Sequence, residues 1–163
     1  MTIMIQKRNG RKEVLDITKI QKMSIEATAG LDGVSQSELE LDSHIKFIDG
    51  MNSSDIQDAL IKTAVEKIDI DVPNWTFVAA RLFLYDLYHR VGIATYGVKG
   101  EAYRHLKEYI NFGIEAGRII PNLANGYDLD DLNSYIDPSR DFLFNYLGIK
   151  TLYDRYLIKN SKG

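Results

Sequence analysis

The stretch QKRNGRKEVLD, residues 6–16, sets Lys7, Arg8, Arg11 and Lys12 around Asn9 and Gly10, four cations within six positions. Just upstream, residues 2–8 alternate at the strand period, with Ile3, Ile5 and Lys7 on one face and Met4, Gln6 and Arg8 on the other. An Asn-Gly pair supplies the positive φ angles of a type I′ turn, so residues 12–15 are expected to return antiparallel and the chain opens as a β-hairpin. Two strands alone are marginal in water, so the hairpin must rest its apolar face on another element.

Working outward, the next segments read as helices. Thr18 or Asp16 can cap a helix with Ile17, Ile20, Met23 and Ala27 along one side, ended by Gly30 and Gly33. Ser35 and Glu38 have capping-box spacing ahead of Leu41, Ile45 and Ile48, and Asp49-Gly50 breaks that helix. Ser53 or Ser54 starts a third, with Ile56, Leu60, Ala64 and Ile68 at four-residue spacing before Pro73. Residues 75–88 hold only Arg81 and Asp86 as charges, which predicts a helix at the centre of a bundle. Gly92, Gly97 and Gly100 mark a connector. Beyond it, residues 101–118 predict a helix with Tyr103, Leu106, Tyr109, Ile110 and Ile114 inward; residues 128–136 and 140–157 are expected to be helical too, the last split near Gly148. The expected fold is mainly α: a β-hairpin on a four-helix bundle over residues 1–93, then an all-helical segment over 94–163.

Composition narrows the chemistry. The 163 residues carry a net charge of −3, yet five cations against two acids make residues 1–20 locally +3 and leave −6 to the remainder. That balance argues against a large nucleic-acid footprint or an anionic membrane as partner. Zero cysteines exclude disulfides, thiolate metal sites and thiol catalysis in this chain. Charges precede any apolar core at the start and no apolar run reaches bilayer length, so a cytoplasmic location is expected. Phosphate-loop, dinucleotide-fingerprint, HExxH and nucleophile-elbow motifs are all missing from the sequence, and catalysis has no visible owner.

A closed hairpin that crowds four cations has an electrostatic cost unless an anion lies close, and a triphosphate fits; a solvated, aggregation-resistant edge is the plainer alternative. Ser53 at a helix start stands beside unpaired amides, an anion site or simply a cap. Glu13 and Asp16 can accept from an adenine amino group or ribose hydroxyls, or pair with Lys12 and Lys19. His89 ends the apolar helix, whereas His44 and His105 lack metal-ligand spacing and read as structural or surface residues.

Taken in order, KRNGRKEVLDITKI (7–20), FIDGMNSSDI (47–56) and VPNWTFVAARLFLYDL (72–87) closely resemble an ATP-cone, a regulatory domain whose hairpin lid closes over ATP or dATP against a small helical bundle. YIDPSRDFLFNYLGIKTLYDRYL (135–157) resembles the helical region that follows the cone in the large subunit of class I ribonucleotide reductases. The resemblance implies that Lys7 and Arg8 hold phosphates. It also implies that Glu13, Val14, Leu15, Asp16, Ile17, Thr18 and Lys19 border the adenosine, partly through main-chain groups, and that Ile5 and Ile20 wall the base. Ser53 stands where the family usually has threonine near the phosphates; His89 replaces a lysine that contacts phosphate, and Gln57 a histidine or acid near the sugar. Magnesium is expected with the effector, and no redox cofactor. The implied partners are further large subunits and the radical-generating small subunit. Since the full enzyme works through cysteines, the resemblance implies a regulatory fragment without turnover of its own. Two other readings stand beside it: a degenerate cone that only mediates subunit contacts, and a DNA-binding regulator, which has no cysteines here for the zinc ribbon such proteins carry.

Overall fold

The computed structural model describes residues 3–96 and 105–158. Strands β1 (Met4–Gln6) and β2 (Lys12–Val14) pair antiparallel, Ile5 opposite Glu13, as the alternation predicts. The turn differs from expectation. Only Gly10 has a positive φ, +81°, and Asn9 does not, so the loop is not type I′. Instead Gly10 N donates to Lys7 O (2.8 Å) and Lys7 N to Arg11 O (2.8 Å), the pattern of a three-residue loop with glycine in the left-handed position. Asn9 uses its side-chain oxygen to accept from Arg11 N at 3.1 Å, which holds the tight loop without bending its own backbone to positive φ.

A third strand, β3 (Met51–Asn52), was not expected. It pairs parallel with β1, giving the order β2-β1-β3. Asp49 and Gly50 build that junction: Asp49 Oδ1 accepts from Met4 N (2.8 Å), while Gly50, at φ +83°, donates to Met4 O (2.8 Å).

Helix α1 (Ile17–Thr28) is capped by Asp16, which accepts from Thr18 N at 3.0 Å. Its buried face carries Ser24 and Ala27, with Ile20 and Met23 packed on the core; Ile17, expected inward, is the first residue of the helix and is half exposed. Helix α2 (Gln36–Asp42) has Ser35 accepting from Glu38 N (3.2 Å). It ends earlier than its apolar spacing implies: His44 turns to φ +48°, and Leu41 and Ile48 face solvent while Leu39 takes the buried place. In α3 (Ser53–Glu66) the cap residue is Asn52, so Ser53 is the first helical residue and not the cap. Ile56, Leu60 and Ala64 are buried as expected; Ile68 lies past the helix end and is partly exposed.

Helix α4 (Trp75–Tyr96) is the central element, with Trp75, Val78, Ala79, Leu82, Phe83, Leu84 and Leu87 all buried. It continues through Gly92, which therefore lies in a helix and not in a connector. Both of its expected charges serve the interior. Arg81 Nη1 donates to the Ala27 and Ala29 carbonyls (3.1 and 2.7 Å) and so satisfies orphan carbonyls at the end of α1.

Of the later segment, Gly97, Gly100, Tyr103 and the expected helix start at residue 101 lie outside the described residues. Helix α5 (Leu106–Glu115) buries Ile110, but Tyr109 is partly exposed. Short helices α6 (Asn122–Asn125) and α7 (Leu129–Ser134) follow, α7 capped by Asp128. The final helical stretch is broken earlier than predicted. Pro138–Leu143 forms a 3-10 turn, Phe144 is extended, and Asn145 caps α8 (Tyr146–Arg155) by accepting from Gly148 N at 2.7 Å, so Gly148 lies inside the helix. Ile149 of α8 joins the same core as Leu39, Leu60 and Leu82.

Candidate nucleotide site

The hairpin, α1, the start of α3 and the middle of α4 enclose a cleft of about 250 Å³. Eleven of the fourteen residues singled out from the sequence line it: Ile5, Lys7, Arg8, Glu13, Leu15, Asp16, Lys19, Ile20, Ser53, Gln57 and His89. Val14 and Ile17, both about half exposed, and Thr18 stand outside the lining. Strand alternation explains Val14, which projects to the face opposite Glu13. Thr18 belongs to the cap, its hydroxyl and amide both donating to Asp16.

The cleft has two characters. Ile5, Ile20, Met23, Ile56 and Tyr85 form an apolar wall. Lys7, Arg8 and Lys19 bring three cations to the same cleft, beside the carboxylates of Glu13, Asp16 and Asp86, with Ser53 at the amide-rich first turn of α3. That combination suits a ligand with an apolar part and an anionic part.

Internal carboxylates hold the cations in place. Glu13 is the hub: Lys7 Nζ lies 3.0 Å, Arg11 Nη2 2.9 Å and Lys19 Nζ 3.7 Å from its oxygens. The hydrogen bond from Lys7, then that from Arg11, lowers the Glu13 pKa from its ordinary 4.5 to about 2. Asp16 is lowered too, first by the Thr18 hydroxyl. Arg8 pairs with Asp86 on α4, a residue that sequence reasoning did not single out for the site. A charge inside an otherwise apolar helix was the available signal, because a buried carboxylate needs a cationic partner. Gln57 spends its amide on Leu82 O (2.8 Å), fixing its orientation at the cleft floor. Tyr85 packs edge-on against Phe142 at 6.2 Å, and its phenol pKa is raised chiefly by burial.

Over residues 3–90, which include every residue of this cleft, the sequence matches the ATP cone domain. The chain belongs to the ATP-cone family. The likeness extends beyond the cone. The ribonucleoside-diphosphate reductase subunit alpha of Helicobacter pylori (strain 26695) is 60% identical over 161 residues, 99% of this chain and 20% of that protein. The corresponding subunit of Haemophilus influenzae is 32% identical over 98% of this chain and 21% of its own length. Subunit alpha of Escherichia coli K12 ribonucleoside-diphosphate reductase 1 is 31% identical over 97% of this chain and 20% of its own. The chain thus spans about a fifth of the length of the curated relatives it matches. No described helix is long and apolar enough to cross a membrane.

The ion pairs of Glu13 predict how the cone's hairpin responds to acid. Glu13 has a folded pKa below its unfolded one, so its contribution to hairpin docking is intact above about pH 4.5 and is lost as pH falls towards 2. A carbon-detected titration of the Glu13 carboxyl should show a midpoint near 2, with exchange of the Leu15 amide, bonded to Ile3 O at 2.9 Å, accelerating over the same range. A midpoint at the ordinary carboxylate value would show that the Lys7 and Arg11 contacts do not persist in solution.

Proposed function

We propose that this cone is the allosteric effector module of a ribonucleoside-diphosphate reductase large subunit, with residues 1–93 as the regulatory domain and 94–163 as the start of the helical region behind it. ATP binding favours activity and dATP suppresses it by changing how large subunits associate with one another or with the radical-generating small subunit. The observation that supports this most is that Lys7, Arg8 and Lys19 line one cleft together with the apolar side chains of Ile5, Ile20, Met23 and Ile56. In this reading Lys7, Arg8 and the first turn of α3 with Ser53 take the phosphates, Ile5 and Ile20 border the base, and the stretch from Glu13 through Val14, Leu15, Asp16, Ile17 and Thr18 to Lys19 frames the adenosine. Gln57 lies towards the sugar and His89 towards the phosphates. Val14, Ile17 and Thr18 then contribute through main chain or from the rim.

Regulation requires differential affinity, because a nucleotide that binds both assemblies equally shifts neither. Magnesium accompanying the effector finds no group of three or more His, Asp or Glu residues among the described ones. The chain's own part is to meet the phosphates with cationic side chains and the helix-start amides. Calorimetric titration with dATP and with ATP at several protein concentrations should give saturable heat, and sedimentation should shift on adding dATP. Folded protein that gives no heat and no competition with labelled dATP would end this reading.

A second reading, a cone that mediates subunit contacts without nucleotide, draws on the same ion pairs: Lys7 and Arg8 already have carboxylate partners. It predicts concentration-dependent self-association that dATP leaves unchanged.

A further inference from the structure

Asp86 is a carboxylate buried in the wall of the same cleft, 8% exposed. Its two oxygens serve different arginines. Oδ1 accepts from Arg8, and Oδ2 lies 2.9 Å from Arg90 Nε. These arginines are held unequally. Arg90 stands one turn further along the same helix, donates from Nη1 to the Tyr153 hydroxyl at 2.8 Å, and lies 5.9 and 5.0 Å from the ring centroids of Phe83 and Tyr153. Arg8 is carried by the short hairpin loop and reaches Asp86 across a separation of 78 residues. Of the two, Arg8 is the one a competing anion can draw away.

We propose that Asp86 is a built-in stand-in for phosphate: it holds Arg8 at the cleft wall, yields it to an incoming anion, and so sets the affinity of the site, while Arg90 governs how readily Asp86 lets go. This rests on reading the cleft as a nucleoside triphosphate site. The physical basis is competition between two charge-assisted contacts for one guanidinium, with repulsion between the retained carboxylate and the arriving phosphate as a further cost. Arg90 lessens both effects by keeping a cation on Asp86 after Arg8 has left.

The consequence is a pair of substitutions with opposite signs. Asp86→Asn releases Arg8 and removes the repulsion, so it should tighten binding by roughly tenfold. Arg90→Gln leaves Asp86 to Arg8 alone, so it should weaken binding several-fold, although Arg90 lies outside the residues lining the cleft. A residue that merely props up the site would weaken binding in both variants. The test is calorimetry on the full chain with dATP and with inorganic triphosphate, near-ultraviolet circular dichroism checking the fold of each variant. Tightening in Asp86→Asn with weakening in Arg90→Gln supports the proposal. Weakened or unchanged binding in a folded Asp86→Asn protein overturns it, and so does tighter or unchanged binding in Arg90→Gln; should Asp86→Asn fail to fold, Asp86→Ser takes its place with the same expected tightening and the same overturning result. Wild-type protein that binds neither probe overturns the nucleotide reading together with this one; wild-type binding without the opposed shifts overturns only the role of Asp86.

Discussion

Replacing Lys7 with alanine is expected to weaken dATP binding about ten- to a hundredfold, a loss on the order of 1–3 kcal/mol for one direct charge-assisted contact. Two effects act in the same direction. The ammonium group that the proposal places on the phosphates disappears, and Glu13, left with Arg11 and the more distant Lys19, turns into a less neutralised carboxylate facing the same anion. Arg8→Ala should be milder if Asp86 keeps Arg90, since that substitution removes a contact without leaving the carboxylate alone. Calorimetry with both variants at two salt concentrations checks this. Equal affinity in Lys7→Ala and wild type would place the phosphates somewhere other than the hairpin tip.

The largest stability effect should come from Leu60→Ala. Leu60 is fully buried on α3, in the same core as Leu39, Val78 and Leu82. Deleting its isobutyl group loses transfer energy and leaves a cavity, together about 2–5 kcal/mol. For a chain of this length that is a fall of roughly 5–15 °C in Tm. The single tryptophan is a convenient probe: Trp75 is buried at the start of α4, with the Lys67 ammonium 5.1 Å from its ring centroid. A melting temperature within a degree or two of wild type would mean that α3 packs less closely on α4 than the structure has it.

Much of the cone was legible because its signals are local. Alternation at Ile3, Ile5 and Lys7 marks a strand; Asp16 and Ser35 mark helix starts; a 14-residue run with two charges marks a central helix. Each depends on the few residues around it. Asn-Gly alone does not fix the turn type, since it serves both a two-residue loop and the glycine position of a three-residue one, and the choice depends on how many residues the ladder leaves unpaired. Leu41 and Ile48 face solvent against expectation for a related reason. Helical spacing says which residues could share a face, but not that the helix stops at Asp42 and leaves that face in water. Likewise, Asn145 and not Gly148 divides the last helical stretch, because a side-chain cap starts a helix more decisively than one glycine ends it.

The candidate site was legible as a set of residues and not as a set of pairings. The sequence by itself determined that an acidic chain begins with a cationic hairpin, that helices follow, and that Arg81 and Asp86 interrupt an apolar one. These follow from short-range periodicity and backbone preference, which need no knowledge of the rest of the fold. Only the tertiary structure decided that Met51 and Asn52 add a strand beside β1, that Arg81 closes the end of α1, and that Arg8 meets Asp86. Contacts between residues 45 to 78 positions apart depend on how helices and sheet pack, and ion pairing is then fixed by which opposite charge lies within reach in a desolvated place.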